Sequence, residues 1–196
     1  MRITVKSDVD KLIKKLNYLE KKQIPFATSK AINTVAFKVK TGLDGSTKQY
    51  IDRPKPFTRK PTAYTKSTKR NLVATVFVKP KQLAYLNYII YGKSERNRAV
   101  PTGGRTNAYG NLARTYIKTR VKKKTFFSGT PKGGDRPDGL YERRNRNTKL
   151  KQHAVYKDSV NHRRVWPFHK IAKKIVNRHF ERELHKEIAE AIRTAR

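Results

Sequence analysis

The residues of this chain that could do chemistry are five histidines, two aspartates in a glycine-proline turn, and three clusters of lysine and arginine. His153, His162, His169, His179 and His185 include no pair set beside a carboxylate in the H-E-x-x-H spacing that holds zinc on one helix face. His179 and Glu183 stand four apart, the spacing of an ordinary surface pair on a helix. Asp135 and Asp138 have the residue types of a metal-dependent nuclease, but aspartates between Gly and Pro ordinarily cap turn backbone with their side chains. Gly103-Gly104-Arg105 and Gly133-Gly134 lack the strand, glycine loop and helix order of a phosphate cradle. With no Cys, disulfides, thiolate zinc sites and cysteine nucleophiles are excluded together. The expectation is a protein that is not an enzyme and carries no cofactor and no metal.

The basic clusters are the stronger signal. Lys55, Arg59, Lys60, Lys66, Lys69 and Arg70 surround Phe57 and Tyr64. Lys122, Lys123 and Lys124 form a second group, and Arg143, Arg144 and Arg146, continued by Lys149 and Lys151, a third. Lysine and arginine interleaved with aromatics suit contact with a phosphate backbone without base reading. A basic face docked on an acidic protein fits equally well, and no sequence-reading DNA motif is present. The formal net charge of +34 strains a compact globule by self-repulsion, so a polyanion or an acidic partner is expected. Acid is concentrated at the end of the chain. Glu181, Glu183, Glu187 and Glu190 balance Arg182, Lys186, Arg193 and Arg196, so the rest of the chain carries the whole excess.

Those clusters must be positioned by regular elements. Arg2–Lys6 alternates as a short strand, and Ser7 or Asp8 caps a helix with an apolar stripe at Val9, Leu12, Ile13, Leu16 and Leu19. A second helical stripe starts at Pro25 and runs through Phe26, Ala27, Ala31, Ile32, Val35, Ala36 and Val39, with Gly42 as its stop. Two antiparallel helices, or one helix broken at Pro25, both fit. Lys48–Arg70 is proline-rich and basic and reads as irregular. Asn71–Lys79 reads as a strand, Gln82–Tyr91 as a short helix or helical turn, and Gly92–Gly110 as a long loop. Leu112–Val121 is a candidate helix. Thr125–Ser128, Gly139–Arg143 and Ala154–Lys157 are short strands separated by Gly/Pro turns and by the basic run Arg144–Gln152.

Trp166-Pro167-Phe168 opens a final helix that runs to Arg196 without a glycine or a further proline. Phe168, Ile171, Ala172, Ile175 and Val176 share one face; Leu184, Ile188, Ala191 and Ile192 share a face roughly opposite. Three readings fit: a bend near Arg178–Arg182, a wide stripe on one core, or a second half packed on a neighbouring subunit through Leu184, Ile188 and Ile192. Trp166 and Phe168 are expected to anchor this helix to the sheet. The sum is one α+β domain over 1–196, N-terminal helices and a long C-terminal helix packed on a small antiparallel β-sheet, with long basic loops and loop insertions at 48–70 and 92–121. No stretch approaches the ~18 apolar residues of a membrane span. Met1–Lys6 lacks the apolar core of a signal peptide, so a soluble, non-secreted protein is expected.

The segment Leu12–Leu43, a lysine-rich amphipathic stretch followed by Ile24-Pro-Phe-Ala-Thr-Ser-Lys-Ala-Ile-Asn-Thr-Val-Ala36, resembles the opening of tailed-phage minor tail protein Z and related tail-completion proteins. Their shared feature there is an Ala-Ile-Asn-x-Val-Ala helix. Gly139-Leu-Tyr-Glu-Arg-Arg144, followed by Trp166-Pro-Phe168 and a long helix, is similar in order. The resemblance covers the two ends and the third quarter of the chain, not 48–70 or 92–121. It implies a virion structural protein, a small α+β subunit that completes the head-proximal end of the tail for head–tail joining. Such a subunit assembles in the host cytoplasm as a homo-oligomeric ring among other tail and neck proteins, where basic loops meet DNA or acidic neighbours. A non-sequence-specific nucleic-acid-binding protein of ribosomal or nucleoid type is the alternative reading.

Overall fold

The computed structural model describes residues 2–5, 18–103, 106–113, 115–132, 135–144 and 149–194. The protein is α+β: an N-terminal helix and a long C-terminal helix pack together, accompanied by small antiparallel sheets. The chain forms two compact units, Met1–Leu86 with Trp166–Arg196, and Asn87–Val165. Among the described residues no helix is long and apolar enough to cross a membrane.

The first unit is built on helix α1 (Tyr18–Tyr50). Ile24, Ala27, Ala31, Ile32, Val35, Ala36, Val39 and Leu43 are buried along it, the i, i+3, i+4, i+7 stripe that the sequence shows. Pro25 lies inside this helix rather than at its start, and Gly42 does not end it. Neither Gly42 nor Gly45 takes the left-handed conformation of a helix stop. Instead Gly42 makes room: a Cβ there would collide with Cδ1 of Ile175. The helix ends where Pro54 and Pro56 remove donors, with Arg53 in the left-handed region at φ 43°. The cap at Ser7 or Asp8 and the stripe through Leu16 lie outside the described residues.

Strands β1 (Arg2–Val5), β2 (Thr62–Thr65) and β3 (Ala74–Val78) form a sheet in the order β1-β3-β2, both pairings antiparallel. β2 corrects the reading of 48–70 as irregular throughout. It is an edge strand held to α1 by side chains at both ends. Asp44 Oδ1 accepts from the Thr62 amide (3.1 Å) and hydroxyl (2.6 Å). Asn33 Oδ1 accepts from the Ser67 amide (2.7 Å), and Asn33 Nδ2 donates to the Ser67 carbonyl (3.2 Å). Helix α2 (Pro80–Tyr91) then carries the chain into the second unit.

The second unit is a four-stranded antiparallel sheet in the order β4-β7-β6-β5, with β4 (Ser94–Pro101), β5 (Phe126–Gly129), β6 (Gly139–Arg144) and β7 (Lys149–Asn161). β4 replaces the long loop expected at 92–110. Its polar sequence carries no strand pattern, and it becomes a strand through its ladder to β7. β7 likewise takes up much of the basic run 144–152. Helix α3 (Tyr116–Val121) lies within the candidate helix at 112–121, and its Tyr116 packs with Phe126, Leu140 and Ala154 as this unit's core.

The last helix, α4 (Phe168–Thr194), returns the chain to the first unit and runs antiparallel to α1. The pairings Ser46–Trp166, Gly42–Ile175, Lys38–Glu183 and Lys30–Glu187 show the reversed order. The apparent change of face past Phe180 has a chemical origin. Phe168, Ala172, Glu183 and Glu187 are the buried residues, so one stripe continues with two carboxylates in its second half. Lys38 Nζ donates to Glu183 at 2.6 Å, and Lys30 Nζ lies 2.7 Å from Glu187. Leu184 and Ile188 flank that stripe half-buried, and Ile192 points away.

Candidate nucleic-acid and subunit interfaces

In the first unit, the loop between α1 and β3 presents its cations to solvent. Lys55, Arg59, Lys60, Lys66, Lys69 and Arg70 are all exposed. They do not form one cluster. Lys60 lies with Lys79 and Lys81 around an open groove of about 490 Å³, lined also by Pro56, Phe57, Pro80 and Gln82. Gln82 Nε2 donates to the Phe57 carbonyl at 3.3 Å, which fixes the backbone under an exposed ring. Lys69 instead sits over the ring of Phe26, 4.9 Å from its centroid. Lys66 lies by a second groove, of about 380 Å³, between Phe26, Phe37 and Tyr64. Lys79, Lys81 and Phe26 escaped the sequence reading as site residues because the fold, not the chain order, joins them to these loops.

The helix pair leaves apolar surface in water. Ile192 is 61% exposed, Phe37 54% and Phe26 53%. Of the residues expected at a subunit contact, Ile192 is the most open, while Leu184 and Ile188 are half-buried. The expected anchors are fully buried. Trp166 and Phe168 meet edge to face with ring centroids 5.4 Å apart, and the Trp166 indole N–H donates to Ser46 Oγ on α1 at 2.8 Å. The hydrogen bond of this anchor is thus to a helix, not to the sheet expected from the sequence. In the Ala31-Ile-Asn-Thr-Val-Ala36 motif, Ala31, Ile32, Val35 and Ala36 are core residues, and Asn33 is the clamp on Ser67.

In the second unit, Lys122, Lys123 and Lys124 are exposed on the turn from α3 to β5. Arg143 lies 4.8 Å from the centroid of the Phe127 ring, which stacks on Tyr141 with centroids 5.6 Å apart. Arg144 Nε donates to Glu142 at 3.2 Å. Arg146 lies outside the described residues. Glu142 also meets His153 Nε2 at 3.0 Å, and the other ring nitrogen of His153 meets the Tyr116 hydroxyl at 2.8 Å. The hydrogen bond with His153, helped by Arg144, holds the Glu142 carboxyl below the usual carboxylate range. This Tyr–His–Glu chain lies against the core of the unit, with Tyr116 and His153 buried, and reads as internal polar satisfaction.

Asp135 and Asp138 are exposed, and the Asp138 carbonyl accepts from the Tyr156 amide at 2.8 Å, which extends the β6–β7 ladder by one backbone bond. Among the described residues no three of His, Asp or Glu are grouped to hold a metal ion. No family model, curated protein or solved structure matches the chain.

Proposed function

We propose that this chain is a non-enzymatic virion structural protein, an oligomeric tail-completion or neck subunit at the head-proximal end of a phage tail. The observation that carries the subunit half of this reading is the exposed apolar surface of the α1–α4 pair, Phe26, Phe37 and Ile192. Phe26 and Phe37 line one groove with Tyr64, and a contiguous exposed apolar surface of this kind marks a site that a partner covers. The neutral composition of 181–196 suits a contact between copies that otherwise repel one another. The virion assignment rests on the resemblance of the Ile24–Ala36 and Trp166–Phe168 segments, and the basic surface serves DNA or acidic neighbours in that setting. The test is particle mass by light scattering on nuclease-treated protein at low and high salt. An oligomer of fixed stoichiometry that survives salt is expected, and Ile192→Glu should reduce it to monomer with unchanged circular dichroism. A monomer that gains mass only on adding DNA overturns the subunit reading in favour of a nucleic-acid-binding protein of ribosomal or nucleoid type.

A further inference from the structure

The β4–β7 ladder gathers cations that lie far apart in the chain. Its register sets Ser94 opposite Asn161, Arg96 opposite Ser159 and Arg98 opposite Lys157. Residues directly opposite in an antiparallel pair share a face, as do residues two apart on one strand. On β7, Lys157, Ser159 and Asn161 share one face, with Arg98, Arg96 and Ser94 as their respective partners on β4. Asn97, left-handed at φ 53° and outside the register pairs, interrupts β4 between Arg96 and Arg98, so the patch is carried across by β7. The alternate positions face the other way: Ala99 pairs with Tyr156 and Pro101 with Ala154, and Tyr156 and Ala154 pack with Tyr116, Leu140 and Phe126 in the core. All six residues of the patch are exposed.

The patch is built against its own stability. Arg98 and Lys157 are like charges directly opposite, an arrangement that weakens a sheet. Arg98 has one relief, donating through Nη1 to Glu95 at 2.6 Å. Arg96 and Lys157 have no ion-pair partner among the described residues. Val100 and Val155 pair next on this face and are half-buried, so its fully exposed part, the six residues above, is wholly polar, whereas a protein interface is built round an apolar centre. A phosphate backbone needs the opposite: guanidinium forks, an ammonium, and hydroxyl and amide donors.

We infer that this face of the sheet is a sequence-independent binding surface for the phosphate backbone of a nucleic acid, with Arg96, Arg98 and Lys157 as its cations. The inference rests on the DNA contact proposed above and shifts its centre from the loops to the sheet.

The test is fluorescence anisotropy of a random-sequence duplex across a salt series. It compares wild type, the sheet variant Arg96→Gln/Arg98→Gln/Lys157→Gln and the loop variant Lys55→Gln/Lys60→Gln/Lys66→Gln. The sheet variant should bind at least about tenfold more weakly near physiological salt, and its slope of log affinity against log salt should fall by roughly 2–3, since each lost phosphate contact removes about 0.9. Lys157→Gln alone should raise Tm while weakening DNA, the signature of a residue kept for a ligand. A sheet variant that binds like wild type while the loop variant is weakened overturns the inference and leaves DNA contact with the loops. Absence of wild-type binding overturns both. Displacement of the duplex by polyglutamate of equal charge as readily as by unlabelled DNA overturns the inference in favour of an acidic protein.

Discussion

Asn33 shows how one polar side chain can fix a loop that sequence composition leaves irregular. Its amide forms both hydrogen bonds of a strand neighbour to the backbone of Ser67, and Ser29 adds a third from its hydroxyl to the same carbonyl at 3.1 Å. Asn33→Ala leaves the Ser67 N–H without this acceptor and should destabilise the protein by about 1–3 kcal/mol, measured by urea unfolding. Asn33→Asp should recover only part, since it offers the acceptor but not the donor. Glu183 makes the second case. Lys38 donates to its carboxylate and holds its pKa below the ordinary carboxylate value despite burial. A depressed folded-state pKa contributes stability that is full above the unfolded value, about 4.3, and fades as pH falls through the folded one. Wild-type Tm should therefore fall on acidification below about pH 4.5, with Glu183→Gln showing a shallower fall. Equal acid slopes in the two proteins would contradict the role given to this pair.

At the scale of elements, the close approach of α1 and α4 depends on a missing Cβ. Gly42 faces Ile175, whereas a Cβ on Gly45 would meet nothing within 4 Å. Gly45→Ala should stabilise the helix by about 0.5–1 kcal/mol, and Gly42→Leu should destabilise by about 1–3 kcal/mol through overpacking. Equal Tm shifts in thermal melts of the two variants would show that the helices do not meet there. The same glycine marks the limit of what was legible. A glycine after an apolar stripe has the same sequence signature whether it stops a helix or admits a neighbour, and Ile175 is too distant in the chain to decide it. The strands at Arg2–Val5, Ala74–Val78, Phe126–Gly129 and Gly139–Arg144 were legible because alternation is local. β2 and β4 were not, since side-chain clamps from α1 hold one and pairing with β7 defines the other. Candidate sites divide in the same way. The loop cations are visible as runs, while Arg96, Arg98 and Lys157 share a face only through register. The second half of α4 misled for another reason: Glu183 and Glu187 occupy positions where periodicity looks for apolar side chains.

For the whole molecule, the governing quantity is a net charge of +34 on a chain with 14 acidic residues. Most of the carboxylates among the described residues already sit in ion pairs, including Glu95, Glu142, Glu183, Glu187 and Glu190, so little internal capacity remains to offset the excess. The folded state concentrates this charge, and unfolding disperses it. Raising salt from about 0.01 M to 0.15 M shortens the screening length from roughly 30 Å to 8 Å, which relieves long-range repulsion but acts less on the part-buried, directly hydrogen-bonded Lys38–Glu183 pair. Tm should therefore rise with sodium chloride over this range. A short anionic oligomer at low salt should raise it further by binding the folded chain, with a gain that depends on its concentration. The same series separates the two kinds of surface. Contacts through Phe26, Phe37 and Ile192 should hold particle mass constant as salt rises, because burial of apolar area is insensitive to screening. DNA held by the β4–β7 face should be released along the same axis. If mass and DNA binding fall together, one electrostatic surface accounts for both, and the apolar faces of the helix pair are not what joins the copies.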